Sequence, residues 1–105
     1  MKILFDQGVP VPLRFFLAPH MIETAFERHW SELKNGELLK SAEIAGDELL
    51  ITTDRNLKYQ QNLAGRKLAI LVLLSTSWPR IQLKLDEIKT AIAKITPGDY
   101  VEVAI

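Results

Sequence analysis

The feature that most constrains the fold is the run Leu68-Ala69-Ile70-Leu71-Val72-Leu73-Leu74, which is apolar at every position. A strand with one wet face alternates apolar and polar residues, so a run apolar on both pleat faces has to be covered on both sides. The run is far below the roughly 18 residues that would suggest a membrane-spanning helix. It predicts a central strand over Leu68 to Leu73, in a parallel sheet with helices against each face.

The flanking segments fit such a sheet. Lys2 to Phe5 reads as a first strand stopped by Asp6-Gln7-Gly8, and Val9-Pro10-Val11-Pro12 leads into a helix over Leu13 to Leu17 with proline near its first turn. Met21 to Ala25 reads as a second strand, and Glu27 to Leu33 as irregular or one helical turn. Asn35-Gly36-Glu37 opens a helix whose Leu38, Leu39, Ala42 and Ala45 share one face, with Gly46 at its C-terminal cap. Leu49 to Thr52 is a third strand, and Asn56 to Leu63 a short helix closed near Gly65. After Pro79, the residues Ile81, Leu85, Ile88, Ile92 and Ile95 recur at helical spacing, which predicts one amphipathic helix ended by Pro97-Gly98. Tyr100 to Ile105 alternates as a final edge strand. The expected fold is one domain over residues 1–105, a three-layer α/β/α arrangement around a mostly parallel sheet of about five strands.

Composition narrows the chemistry. With 13 Lys+Arg against 13 Asp+Glu in 105 residues, the formal net charge is zero, so nucleic-acid binding would need a local basic patch. The absence of cysteine excludes disulfides, thiolate metal sites and cysteine nucleophiles. The two histidines, His20 and His29, form no H-E-x-x-H helix, and the glycines form neither a P-loop nor a G-x-G-x-x-G turn. Asp6 interrupts the apolar start before a signal-peptide core develops, and the expected location is the cytoplasm.

Ligands of open parallel sheets bind beyond the C-terminal ends of the strands, and this rule sorts the acidic residues. Asp6 follows the first strand, Asp54 follows the third, and Glu37 lies in the first turn of the helix leading into the third. Asp47 and Asp99 precede strands and belong at the opposite edge, while Asp86 and Glu87 read as solvated helix positions. Three carboxylates in one cleft repel unless a cation neutralises them, and hard oxygen donors select Mg²⁺ or Mn²⁺. Such a site can polarise a phosphate and activate water, for which the phosphodiester of a nucleic acid is a natural substrate.

Each residue also has a simpler reading. Asp6 suits a turn, Asp54 suits the N-cap of the segment from Asn56, and Glu37 favours a helix dipole capped by Asn35. Arg55, Lys58, Tyr59, Gln60, Gln61, Asn62, Arg66 and Lys67 make a basic, amide-rich stretch that would bind phosphates or simply face water. Trp30 and Trp78 would stack on bases or pack over a core edge, and His29 reads as a surface histidine.

Taken together, Ile3-Leu4-Phe5-Asp6-Gln7-Gly8-Val9-Pro10, Leu33-Lys34-Asn35-Gly36-Glu37-Leu38-Leu39 and Leu50-Ile51-Thr52-Thr53-Asp54-Arg55-Asn56-Leu57 resemble the small PIN-like domain family described as a domain of unknown function. The resemblance covers most of the chain in order. It is to the branch taken to contain toxin components of bacterial toxin-antitoxin systems, related in fold to VapC-type ribonucleases. It implies a metal-dependent endoribonuclease, a hydrolase using Mg²⁺ or Mn²⁺ on RNA, controlled by a small antitoxin. On this resemblance Asp6, Glu37 and Asp54 are the catalytic metal ligands, Asn35 and Asn56 assist through amides or water, and Arg55 and Lys58 position the RNA phosphates. Relatives often read D-E-N-L-P where this chain has Asp6-Gln7-Gly8-Val9-Pro10, and S-D-E-E where it has Lys34-Asn35-Gly36-Glu37. Small PIN-like domains commonly pair, which implies a homodimer with the last helix or Trp78 at the contact.

Two other classes share these features. A PIN-like interaction module would keep the fold and a partner surface while its acidic cluster thinned. In a receiver-like domain Asp54 would be phosphorylated and Ser75 or Thr76 would sense it, but that needs a lysine after the fifth strand and an acidic pair after the first, where Asp6 is followed by Gln7.

Overall fold

The apolar runs pair as the pattern requires. The computed structural model describes all residues, Met1–Ile105. Strands β1 (Lys2–Phe5), β2 (Met21–Thr24), β3 (Leu49–Thr52), β4 (Ala69–Leu73) and β5 (Tyr100–Val103) form one five-stranded sheet in the order β2-β1-β3-β4-β5. Every neighbouring pair is parallel, with Phe5 opposite Ile51 and Ile51 opposite Leu71. The sheet is thus wholly parallel, and the fold is α/β. β4 lies between β3 and β5 and is buried along its whole length, while β5 is an edge strand.

Strand side chains alternate between two apolar clusters, as the pleat requires. Ile3, Phe5, Ile51 and Leu71 join Leu13 and Leu17 of the N-terminal region with Ile81, Ile88 and Ile92 from the C-terminal helices. Leu4, Leu50, Ile70 and Val72 join Leu38, Leu39 and Ala42 of α1 (Asn35–Ile44) and Leu57 of α2 (Leu57–Gln60). α1 stops at Gly46, whose φ of 84° is left-handed. There Gly46 N–H bonds to Glu43 O and Asp47 N–H to Ala42 O, the paired closure that glycine permits.

The structure corrects several element readings. The segment after β1 is a 3-10 helix, Val11–Phe16, because Pro10 and Pro12 supply no N–H to a longer helical ladder. The second strand ends at Thr24, where the Thr24 and Glu27 side chains take over the backbone N–H groups. The segment from Asn56 is helical only over Leu57–Gln60; Gln61 is extended, and the Asn62 side chain accepts from Ala64 N–H instead. The stripe from Ile81 to Ile95 is carried by two helices, α3 (Trp78–Gln82) and α4 (Leu85–Lys94). Between them Lys84 leaves the helical region at φ −118°, ψ 18°, and Leu83 is 82% exposed. No glycine or proline marks that break.

The connections have unequal hands. The β3–β4 connection, through α2, and the β4–β5 connection, through α3 and α4, step the same way across the sheet but pack in different clusters. Their hands are therefore opposite, although such connections are right-handed almost without exception. One consequence falls on β5. With α3 and α4 in the other cluster, Tyr100 and Glu102 meet the side chain of Lys58 from α2.

Candidate functional site

In the strand order β2-β1-β3-β4-β5 the chain steps from β1 to one side and then returns to the other, so the topological switch lies between β1 and β3. Ligands of doubly wound sheets bind in the crevice at that point. Asp6 follows β1 directly and Asp54 follows β3 after Thr53, so the two carboxylates flank this crevice.

Thr52, the last residue of β3, joins them. Its hydroxyl donates to Asp6 Oδ2 at 2.8 Å and accepts from Asp54 N–H at 3.1 Å. Asp6 Oδ1 accepts from Gln7 N–H at 2.8 Å. Asp54 Oδ1 accepts from Asn56 N–H at 2.9 Å, and Oδ2 accepts from the Asn35 side-chain amide at 2.8 Å. The same Asn35 amide donates to Gln60 Oε1 at 3.1 Å, which ties the start of α1 to α2. Gly8 makes room for this arrangement, since a Cβ there would meet Thr53 Oγ1 at 2.1 Å.

The sequence-derived candidates fare differently. Asp6, Asp54 and Asn35 come together in this network. Asn56 contributes its backbone N–H to Asp54 Oδ1, an Asx turn ahead of α2; the N-cap is Asn56, without a side-chain capping bond, and not Asp54. Glu37 lies exposed in the first turn of α1, outside the network. Arg55 and Lys58 are already engaged within the chain: Arg55 donates to Leu74 O, and Lys58 pairs with Glu102 Oε2 at 3.1 Å. The Glu102 carboxylate raises the Lys58 pKa, and Lys58 in turn lowers that of Glu102. Burial, helped by Glu102, pushes the Tyr100 phenol up to about 12. Trp30 lies against the Arg28 guanidinium and Trp78 against Phe16, so both take the packing reading. Asp47 and Asp99 precede β3 and β5 as expected; Asp47 pairs with Arg28, and Asp99 accepts from Thr96.

Three residues escaped the sequence reading. Thr52 looked like an ordinary strand end, and only its zero exposure identifies a hydroxyl that must find partners inside. Arg80 lines a polar cleft of about 520 Å³ with Asp54, Arg55, Asn56, Ser75 and Thr76, and its guanidinium has no ion-pair partner. Phe26, in the turn after β2, borders a second cleft of about 470 Å³ that contains Asp6.

No group of three or more His, Cys, Asp or Glu side chains is arranged to hold a metal ion. The donors at the switch point nevertheless suit a hard cation. Mg²⁺ is commonly held by one or two carboxylates together with water and substrate phosphate. The hydrogen bonds to Asp6 and Asp54 fix the direction of both carboxylates, as the outer partners of metal ligands do. Each carboxylate oxygen that accepts one such bond keeps a second lone pair.

The chain matches no protein-family model, no curated protein and no solved structure. No helix is long and apolar enough to cross a membrane.

Proposed function

We propose that the protein is a metal-dependent endoribonuclease, the toxin component of a bacterial toxin-antitoxin pair, acting in the cytoplasm under control of a small antitoxin. The observation that carries this reading is the pair Asp6 and Asp54 at the switch point, tied through the Thr52 hydroxyl. The resemblance of these same segments to PIN-like domains supports it. Mg²⁺ or Mn²⁺ held there would polarise the scissile phosphate and activate water. Asp6 and Asp54 would hold the cation, and Glu37 would complete the acidic set by swinging from the first turn of α1. Asn35 keeps the Asp54 carboxylate aimed, and Arg80 offers its free guanidinium to a neighbouring phosphate. A homodimer that extends the groove belongs to the same proposal, and light scattering of the purified protein tests it.

The deciding experiment is cleavage of a mixed single-stranded RNA pool with Mn²⁺, Mg²⁺ or chelator, comparing wild type with Asp6→Asn and Asp54→Asn. The expected result is metal-dependent cleavage lost in both variants.

One observation favours a second reading, a PIN-like interaction module. Each oxygen of Asp6 and Asp54 already accepts a hydrogen bond from the chain, and no third acid joins them. A folded wild type that neither cleaves RNA nor binds Mn²⁺ would establish the module in place of the nuclease.

A further inference from the structure

The two clefts beside the switch point differ in chemistry. The one at Asp54 carries Arg55 and Arg80 among hydroxyls, a lining suited to phosphate. The one at Asp6 is lined by Val9, Val11 and Phe26, and its other charges, Arg14 and Glu27, are spent on each other. Arg14 donates to Glu27 through both terminal nitrogens, at 3.2 and 2.6 Å, and this pair lowers the Glu27 pKa. Beyond Asp6 this cleft offers no free charge, and its lining favours a group with apolar faces.

Phe26 is 75% exposed, an unfavourable place for a phenyl ring that nothing covers. The turn beneath it is firmly built. Thr24 N–H donates to Glu27 Oε1 at 2.9 Å, Glu27 N–H returns to Thr24 Oγ1 at 3.0 Å, and Ala25 N–H bonds to Phe5 O at 2.8 Å. The ring is thus an exposed aromatic face on a fixed support. The exposed Gln7 also lines this cleft, and its side-chain amide supplies both a donor and an acceptor. A flat ring with polar edges matches this combination, and a nucleobase is that ring.

We propose that the cleft beside Asp6 is a nucleobase pocket, with Phe26 as its stacking face and Gln7 as the group that meets the base edge. The identity of the ligand as RNA rests on the nuclease reading above. The base enters beside Asp6 while the backbone passes Asp54 toward Arg80. Stacking on an aromatic face tolerates any base, and it requires the base to be unpaired.

The test uses a non-cleavable 2′-O-methyl RNA strand carrying 2-aminopurine, whose fluorescence falls when the base stacks. Wild type, Phe26→Ala and Phe26→Trp are compared, with circular dichroism to verify that each is folded. The expected result is quenching by wild type and Phe26→Trp, and about tenfold weaker binding without quenching for Phe26→Ala. Equal binding and quenching by all three proteins overturns the pocket. Cleavage of the RNA pool by wild type is measured separately. Cleavage that Phe26→Ala leaves unchanged, together with unchanged quenching, overturns the pocket and leaves the nuclease. Quenching that depends on Phe26 in a protein that cleaves nothing keeps the pocket and overturns the nuclease.

Discussion

Thr52 donates its hydroxyl to Asp6 Oδ2 at 2.8 Å from a position with no solvent exposure. Because Thr52 Oγ1 also accepts the Asp54 N–H, one side chain couples the ends of two adjacent strands. Thr52→Val keeps the shape and removes both bonds, leaving a carboxylate oxygen and an amide short of partners. The expected cost is about 1–3 kcal/mol in denaturant unfolding. Thr52→Ser keeps the hydroxyl and should lose only about 0.8 kcal/mol, the worth of the missing methyl. A valine variant as stable as wild type would show that the bridge contributes nothing.

At the other end of the sheet, Asp47 has a fully buried side chain and accepts from the Arg28 guanidinium, one bond being 2.8 Å. Arg28 also pairs with Glu23 and lies over the Trp30 ring at 5.0 Å. Asp47→Ala leaves the nearly buried Arg28 guanidinium with Glu23 as its one remaining carboxylate partner, so it should destabilise the fold by about 1–3 kcal/mol. The double variant Asp47→Ala, Arg28→Met should recover part of that loss, because only the exposed Glu23 carboxylate then lacks a partner. Urea midpoints of wild type, Asp47→Ala, Arg28→Met and the double variant check both statements, and additive losses would contradict the pairing argument.

The parts of the fold carried by residue periodicity were legible. The all-apolar β4 announced a covered parallel strand, and Gly46 marked the end of α1 through its left-handed backbone. The break at Lys84 was not legible, since the apolar spacing of Ile81, Leu85 and Ile88 suits one helix and neither glycine nor proline interrupts it. The meeting of Asp6 and Asp54 at one edge was legible because their positions after strands fix the edge they occupy. Thr52 and Arg80 were not, because their roles depend on which other side chains remain unpaired in three dimensions. The engagement of Lys58 by Glu102 has the same origin: the partners are far apart in sequence and meet only because α3 and α4 pack in the other cluster.

Glu27 gives an acid-dependent prediction. The Arg14 hydrogen bonds, followed by that from Thr24 N–H, lower its pKa from the ordinary value of 4.5. A carboxyl depressed in the folded state contributes stability that is complete above that ordinary value and is lost as pH falls through the folded one. Arg14→Gln should therefore be less stable than wild type at neutral pH, with the difference shrinking below about pH 4.5. Glu102 and Asp99 are also depressed and shape the acid limb of both proteins, so the measured quantity is the difference between them. Urea unfolding from pH 7 to pH 3 supplies it, and a difference independent of pH would remove the pair from the acid response.

On the proposed nuclease reading, the state of each cation predicts which one meets the RNA backbone. Arg80 has no ion-pair partner and shares its cleft with Asp54, whereas Lys58 is held by Glu102 and sits against the Tyr59 and Tyr100 rings. A cation that contacts a phosphate releases counterions on binding and adds about 1 to the salt slope of the affinity. Arg80→Ala should therefore weaken RNA binding and reduce that slope by about 1. Lys58→Ala should leave the slope unchanged. Arg55 anchors the Leu74 carbonyl, so Arg55→Ala should lower stability before it alters the slope. Titrations of a non-cleavable RNA strand at several salt concentrations separate these outcomes. A slope that falls for Lys58→Ala and stays constant for Arg80→Ala would place the phosphate path along α2 rather than past Asp54.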